Sequence, residues 1–213
     1  MEVSVKKSKF IVNDKNEHIQ KHWVAGNYYE ASKIGLLRYL KRGGYKGRAL
    51  DIGASIGNHT VYFANELGCE VVSVEPFEPS FKHLKENVKL NDLDVELINV
   101  ALGDKEGIGA MKSMSKGNVG MQQVVRGQGV KIKTLDGLKL GQLDFIKIDV
   151  EHYNIPLLKG AKETLHNQVK CDVFIECESN EIRRDTNEIM KSYGYKLVKG
   201  VKLNHTPTYL WKK

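Results

Sequence analysis

The chain has 213 residues, a length that fits one domain and can bury a full core without disulfide or metal staples. Hydrophobic residues make up 41% and charged residues 28%, which excludes disorder, collagen and coiled coil as the main state. The formal net charge is +7 and lies wholly in residues 1–48, with 11 basic and 4 acidic side chains, a segment suited to an anionic partner or to a solvated basic helix face.

In chain order, residues 1–25 are polar and read as irregular, with a short strand at 9–12. Residues 30–42 place Ile34, Leu37, Tyr39 and Leu40 on one helical stripe, and Gly43-Gly44 closes it. A strand is predicted at 48–52, then the turn Gly53-Ala-Ser-Ile-Gly57 and a helix over 58–67 closed by Gly68. A buried β-branched strand follows at 70–74, a helix at 78–90 and a strand at 96–101. Residues 103–132 break this rhythm. Glycine-rich and polar, they read as one or two hairpins with mobile tips, suited to acceptor recognition. The pattern resumes with a strand at 145–150, a helix at 155–167, a strand at 173–177 and a helix at 180–193. An antiparallel pair at 195–203 and 208–211 closes the chain.

Strands alternating with helices predict an α/β fold. Its sheet is mostly parallel with a C-terminal antiparallel strand, and helices cover both faces. The organisation is a single domain over 1–213: a basic segment and helix (1–48), then a catalytic core (49–213) carrying the insertion 103–132. Ligands in such sheets bind at the carboxyl ends of the strands. No apolar run reaches the roughly 18 residues of a membrane span. The first residues lack an apolar signal core, so a cytoplasmic location is expected. Cys69, Cys171 and Cys177 form no Cys-x-x-Cys pair, which disfavours zinc-finger and disulfide-scaffold readings.

The turn after the first core strand can hold an anion on free backbone N–H groups. Glu75 ends the next strand, where a carboxylate accepts ribose hydroxyls. Ser55 stands where a dinucleotide fingerprint needs its second glycine, and no Gly-Lys-Ser/Thr is present. The pattern suits S-adenosylmethionine (SAM), which carries no phosphate. Glu75 would take its ribose, Asp51 its ammonium, and the 53–58 turn its carboxylate.

The run Asp51-Ile-Gly-Ala-Ser-Ile-Gly-Asn-His-Thr-Val-Tyr-Phe-Ala64 closely resembles the FkbM-type family of SAM-dependent methyltransferases. So do Val74-Glu-Pro76, Leu84-Lys-Glu-Asn87 with Asn91, and Asn99-Val-Ala-Leu-Gly-Asp104. So too do Thr134-Leu-Asp136, Asp144-Phe-Ile-Lys-Ile-Asp-Val-Glu151 and Leu157-Leu-Lys-Gly-Ala161, in the family's order. The resemblance implies a class I, Rossmann-like methyltransferase fold with SAM as donor. It implies O-methylation, most often of a sugar or another small-molecule hydroxyl. By this resemblance Asp51, Gly53, Ala54, Ser55, Gly57, Asn58, His59, Glu75, Pro76, Asn99 and Ala101 form the cofactor site. The family pattern continues Asp-Val-Glu-Gly-x-Glu. This chain reads Asp149-Val-Glu-His-Tyr-Asn154, with histidine for the glycine and asparagine for the second acid.

On the acceptor side, Asp149 and Glu151 lie two apart on a segment read as extended, and Glu176 and Glu178 repeat the spacing. Such carboxylates can raise one another's pKa and supply a base, hold a divalent cation, or pair with Lys147 and Lys159. His152 is a further base candidate, so the catalytic set is Asp149, Glu151 and His152, with no assigned metal ligand. His18, His22, His83, His166 and His205 read as surface or structural. Tyr28, Tyr29 and Glu30 suit a lid or a packing role. Lys112, Lys116, Arg126 and Lys131 in the insertion suit an anionic acceptor or plain solvation. The expected activity is SAM-dependent methyl transfer to a hydroxyl of a sugar, glycan or related small molecule. Nucleic acid is not the expected partner. The alternatives are an RNA methyltransferase and a non-catalytic SAM-binding module.

Overall fold

A computed structural model describes residues 1–32, 34–113 and 122–213. A hairpin of β1 (Glu2–Val5) and β2 (Ser8–Ile11) opens the chain, followed by α1 (Gln20–Val24) and α2 (Leu36–Gly43). The core runs β3 (Arg48–Ile52), α3 (Asn58–Val61, continued as a π-helical stretch Tyr62–Leu67), β4 (Glu70–Val74), α4 (Glu78–Leu90) and β5 (Val95–Ile98). Next come β6 (Ala101–Leu102), β7 (Gly107–Ser113), β8 (Gln122–Lys133) and α5 (Leu135–Leu138). The chain ends with β9 (Phe145–Ile148), α6 (Asn154–Lys159), α7 (Lys162–Asn167), β10 (Asp172–Glu176), α8 (Asn180–Ser192), β11 (Lys196–Leu203) and β12 (Thr208–Lys212).

Seven strands form the main sheet in the order β11-β12-β10-β9-β3-β4-β5. The five from β10 to β5 are parallel, and β12 inserts antiparallel between β10 and β11. The central strands are apolar on both faces because helices cover both: Leu50, Ile52, Val72, Ile146 and Ile148 pack on one side, and Ala49, Val71, Phe145 and Phe174 on the other. A separate sheet, β6-β8-β7, stands over the carboxyl edge and is the hairpin predicted within 103–132. Part of its predicted mobile tip, with Lys116, lies outside the described residues.

The structure corrects several predicted elements. Residues 1–25 are not irregular. Phe10 and Trp23 are fully buried and stack at 4.1 Å, and Trp23 Nε1 donates to Asn58 Oδ1 at 3.0 Å. Their burial comes from contact with distant core residues, so no local period announces it. The helix predicted from residue 30 begins only at Leu36, whose N–H donates to Asn204 Oδ1. Glu30 has a left-handed φ of 62°, which no helix accepts, and Ile34 is exposed rather than on the buried stripe. The helix predicted over 155–167 is two helices, interrupted at Gly160 and Ala161, whose ψ angles of 8° and 9° leave the helical range; glycine is needed at 160 because a Cβ there would lie 1.9 Å from the Gly103 carbonyl oxygen. The strand predicted to 150 stops at Ile148, and that predicted over 96–101 divides between β5 and β6.

Candidate active site

The carboxyl ends of β3, β4, β9 and β10 open into a cavity of about 520 Å³, within the usual size of small-ligand sites. Gly53, Ala54 and Ser55 form one wall, Glu75 and Pro76 another, and Ala101 a third. Gly53 has φ +76°, and a Cβ there would lie 1.7 Å from the Asp149 carbonyl oxygen, so glycine alone lets the two turns approach. Glu75 is buried. Its Oε2 accepts the Ser55 N–H at 2.8 Å and its Oε1 the Phe77 N–H at 2.7 Å, which fixes the carboxylate in the cavity wall. Burial pushes its pKa up to about 7, against those two backbone donors and Lys147.

Three expected cofactor residues lie behind this wall. Asp51 is fully buried, does not line the cavity, and has its oxygens engaged by Thr60 Oγ1 (2.7 Å) and Lys147 Nζ (3.2 Å). Gly57, at φ +93°, sits under Leu84, where a Cβ would meet Cδ1 at 2.8 Å. Asn99 Nδ2 donates to the carbonyls of Glu75 and Pro76 and braces their turn. Asn58 reaches the cavity, but its amide is spent on Trp23 and Tyr29. The amides of Gly53 and Ala54 donate to Val74 O. Those of Ile56, Asn58 and His59 have no acceptor among the described residues and stay free for an anion.

The opposite wall is acidic. Glu30, Asp149, Glu151, Glu176 and Glu178 all line the cavity, against one buried ammonium, Lys147. Lys147 Nζ touches Asp51, Asp149 Oδ2 (3.5 Å) and Gly53 O (3.0 Å). Burial lowers its pKa, but the carboxylates of Asp51, Asp149 and Glu30 outweigh burial and hold it above its ordinary value. Burial, then Asp149 and Glu30, drives Glu176 up to about 10. Burial, then Asp149 and Glu178, brings Glu151 to about 7. His59 Nε2 meets Glu30 Oε2 at 3.0 Å. The expected common side for Asp149 and Glu151 fails because Glu151 (φ 39°) and His152 (φ 63°) turn left-handed after β9. Asp149 thus pairs with Lys147, whereas Glu151 gathers with His152 and Glu178, their ligand atoms within 4.8 Å of one another. Among the described residues Lys159 makes no ion pair.

The profile of the methyltransferase FkbM domain family matches residues 51–197, more than half of the chain. The chain belongs to the FkbM methyltransferase family. Solved structures resembling this FkbM methyltransferase are class I enzymes. A Pyrococcus abyssi tRNA (uracil-54, C5)-methyltransferase in complex with S-adenosyl-L-homocysteine has TM-score 0.58 at 13% identity, covering 100% of this chain. This chain spans 43% of that protein's length. A Geobacter metallireducens precorrin-6y C5,15-methyltransferase has TM-score 0.52 at 13% identity, over 86% of this chain and 91% of that one. An Aquifex aeolicus SAM-dependent methyltransferase has TM-score 0.52 at 14% identity, over 82% and 87%. Identities this low establish the shared fold. No curated protein matches the sequence.

Both departures of this FkbM methyltransferase from its family pattern have structural readings. His152 occupies a left-handed backbone that favours the family's glycine. Asn154 is buried, and its Nδ2 donates to the Glu176 carbonyl at 2.8 Å, a bond an ionised acid could not make. Tyr29 and Glu30 line the cavity, whereas Tyr28 is core, packed on Phe10 and Tyr62. His18, read as surface or structural, reaches the cavity with its Nε2 3.3 Å from Tyr29 Oη. No spacing signal in the sequence marks it. Among the described residues the insertion contributes Met111, Gln122 and Val124 to the cavity, and Lys112, Arg126 and Lys131 do not line it. The Glu151, His152 and Glu178 trio is the one place among the described residues where a divalent cation finds three such donors. Glu178 Oε1 already accepts the His152 N–H at 2.7 Å. Among the described residues no helix is long and apolar enough to cross a membrane.

Proposed function

We propose that this FkbM methyltransferase moves the methyl group of SAM to a hydroxyl of a sugar, glycan or related small molecule. The supporting observation is one cavity with two unlike walls. A fixed, buried carboxylate (Glu75) stands beside free backbone amides, and opposite them Glu151 is poised near pH 7. The first wall suits a nucleoside bearing a carboxylate and an ammonium. Glu75 accepts the ribose hydroxyls, the Asn58 and His59 amides face the carboxylate, and Asp149 or Glu30 replaces Asp51 as the ammonium's partner. When bound, SAM supplies an electrophilic methyl on a sulfonium.

A sugar hydroxyl is a poor nucleophile, so a base must take its proton as the oxygen attacks. Glu151 fills that role, with His152 orienting the acceptor and, where Glu30 takes the ammonium, Asp149 beside it. The acidic wall disfavours a polyanionic acceptor and therefore RNA, and it answers the expectation of an anionic acceptor in the same sense. The test incubates the intact chain with methyl-labelled SAM and a panel of neutral, amino and acidic sugars. Labelled neutral or amino sugar, lost in Glu151→Gln, supports the reading. Tight S-adenosylhomocysteine binding without transfer to any sugar would overturn the acceptor class.

A further inference from the structure

The amino ends of the same strands carry a second cavity, of about 850 Å³. Its lining runs from Gly47, Asp144 and Asp172 along α2 to Gly35 and Leu203, and it shares no residue with the first cavity. Arg38 and Arg42, four residues apart on one face of α2, form one side. Lys46 follows in the Gly43–Gly47 turn, and Lys170 and Lys212 close the other side. Tyr39 and Tyr45 line the floor.

The two carboxylates present are already engaged. Asp172 takes Lys212 Nζ at 2.8 Å together with the Tyr45 hydroxyl. Asp144 Oδ2 accepts the Arg48 N–H at 2.7 Å. Among the described residues Arg38, Arg42, Lys46 and Lys170 form no ion pair. Four cations converging on one concavity repel one another in the free protein, and a ligand of opposite charge relieves that repulsion. Three of the basic residues of 1–48, Arg38, Arg42 and Lys46, thus share one concavity, and none of them lines the acidic cavity.

We propose that this cleft binds a compact, multiply charged phosphate anion, an oligophosphate chain or the diphosphate of a nucleotide. Two arginine forks match phosphate oxygens, and lysines add point charge. The cleft has the volume of a small-ligand site. Because the cleft shares no lining residue with the first cavity, its ligand is an effector or an anchor and not the methyl acceptor.

The test is calorimetric titration of the intact chain with tripolyphosphate and with ADP at low and moderate salt, then with anionic phospholipid vesicles and single-stranded RNA. The expected result is one saturable site per chain, weakened at least tenfold by Arg42→Glu with Lys170→Glu, while S-adenosylhomocysteine affinity is unchanged. That unchanged affinity also shows the variant to be folded. If the double reversal does not fold, Arg42→Gln with Lys170→Gln replaces it. ADP binding more tightly than tripolyphosphate identifies a nucleotide, and the reverse order a bare oligophosphate. Absence of saturable binding at low salt, or binding indifferent to the substitutions, overturns the proposal. So does RNA or vesicle binding through these residues more than tenfold tighter than either small anion.

Discussion

Asp51 on β3 and Lys147 on β9 are register partners in adjacent parallel strands, and their side chains form a buried ion pair at 3.2 Å directly beneath the candidate active site. Ser73 on β4 completes the row, and Thr60 Oγ1 joins Asp51 to it at 2.7 and 2.8 Å. The row carries the cavity floor: Lys147 also holds the Gly53 carbonyl and Asp149. Truncating one member leaves an uncompensated buried charge, at a cost of about 3–5 kcal/mol. Lys147→Ala is therefore expected to lower the unfolding free energy measured by urea denaturation by that amount and to weaken S-adenosylhomocysteine binding. Lys82→Ala, which removes an exposed helical pair with Glu78, is expected to change stability by about 0.5 kcal/mol at most. Equal effects of the two would show that the buried row carries no special weight.

Glu151 gives the methyl transfer its pH dependence. With a pKa of about 7, its base form grows as pH rises, so kcat/KM should climb from pH 6 to 8 and then level. Glu151→Gln should remove the step and cost roughly 10²–10⁴ in rate. A step that persists in the variant would assign the base elsewhere.

Stability should run the other way. Glu75, Glu151 and Glu176 all have folded-state pKa values above the ordinary 4.5, near 7, 7 and 10. The folded protein holds their protons longer than the unfolded chain does, so the stabilisation is complete below pH 4.5 and is lost as pH rises through these values. Within the range where the fold's other carboxylates remain ionised, unfolding free energy should fall between pH 5 and 8. Glu176→Gln should flatten the slope and gain about 1–3 kcal/mol at pH 8. A variant as pH-sensitive as the parent would mean that Glu176 is not the proton reservoir.

His152 separates backbone strain from chemistry. Its φ of 63° suits glycine, so His152→Gly should stabilise the chain by about 1 kcal/mol. If the imidazole orients the acceptor, the same variant should lose kcat while S-adenosylhomocysteine affinity holds. A variant both more stable and fully active would reduce His152 to a tolerated surface residue, consistent with its 45% exposed side chain.

The legible and illegible features divide by range of interaction. The strand at 48–52, the strand at 70–74 and the helix at 78–90 were readable to the residue, because a doubly covered strand and an amphipathic helix write their burial into local composition. Gly53 and Glu75 were readable for the same reason: a turn and a strand end are local. Sequence by itself determined the alternating α/β order, the family and the cavity's first wall. Tertiary structure alone decided that Asp51 turns inward to Lys147 rather than toward a ligand, since strand register brings them together across 96 positions of chain. It alone placed His18 on the cavity, and it divided the lid or packing segment by setting Tyr29 and Glu30 on the cavity and Tyr28 in the core, because the N-terminal segment is held there by Trp23 and Asn58 and not by any period of its own. Likewise it alone gathered Glu30, Asp149, Glu151, Glu176 and Glu178 around one cavity and Arg38, Arg42, Lys46 and Lys170 around another. Composition sums charges over the chain, whereas electrostatic function depends on which of them the fold sets within a few ångströms of one another.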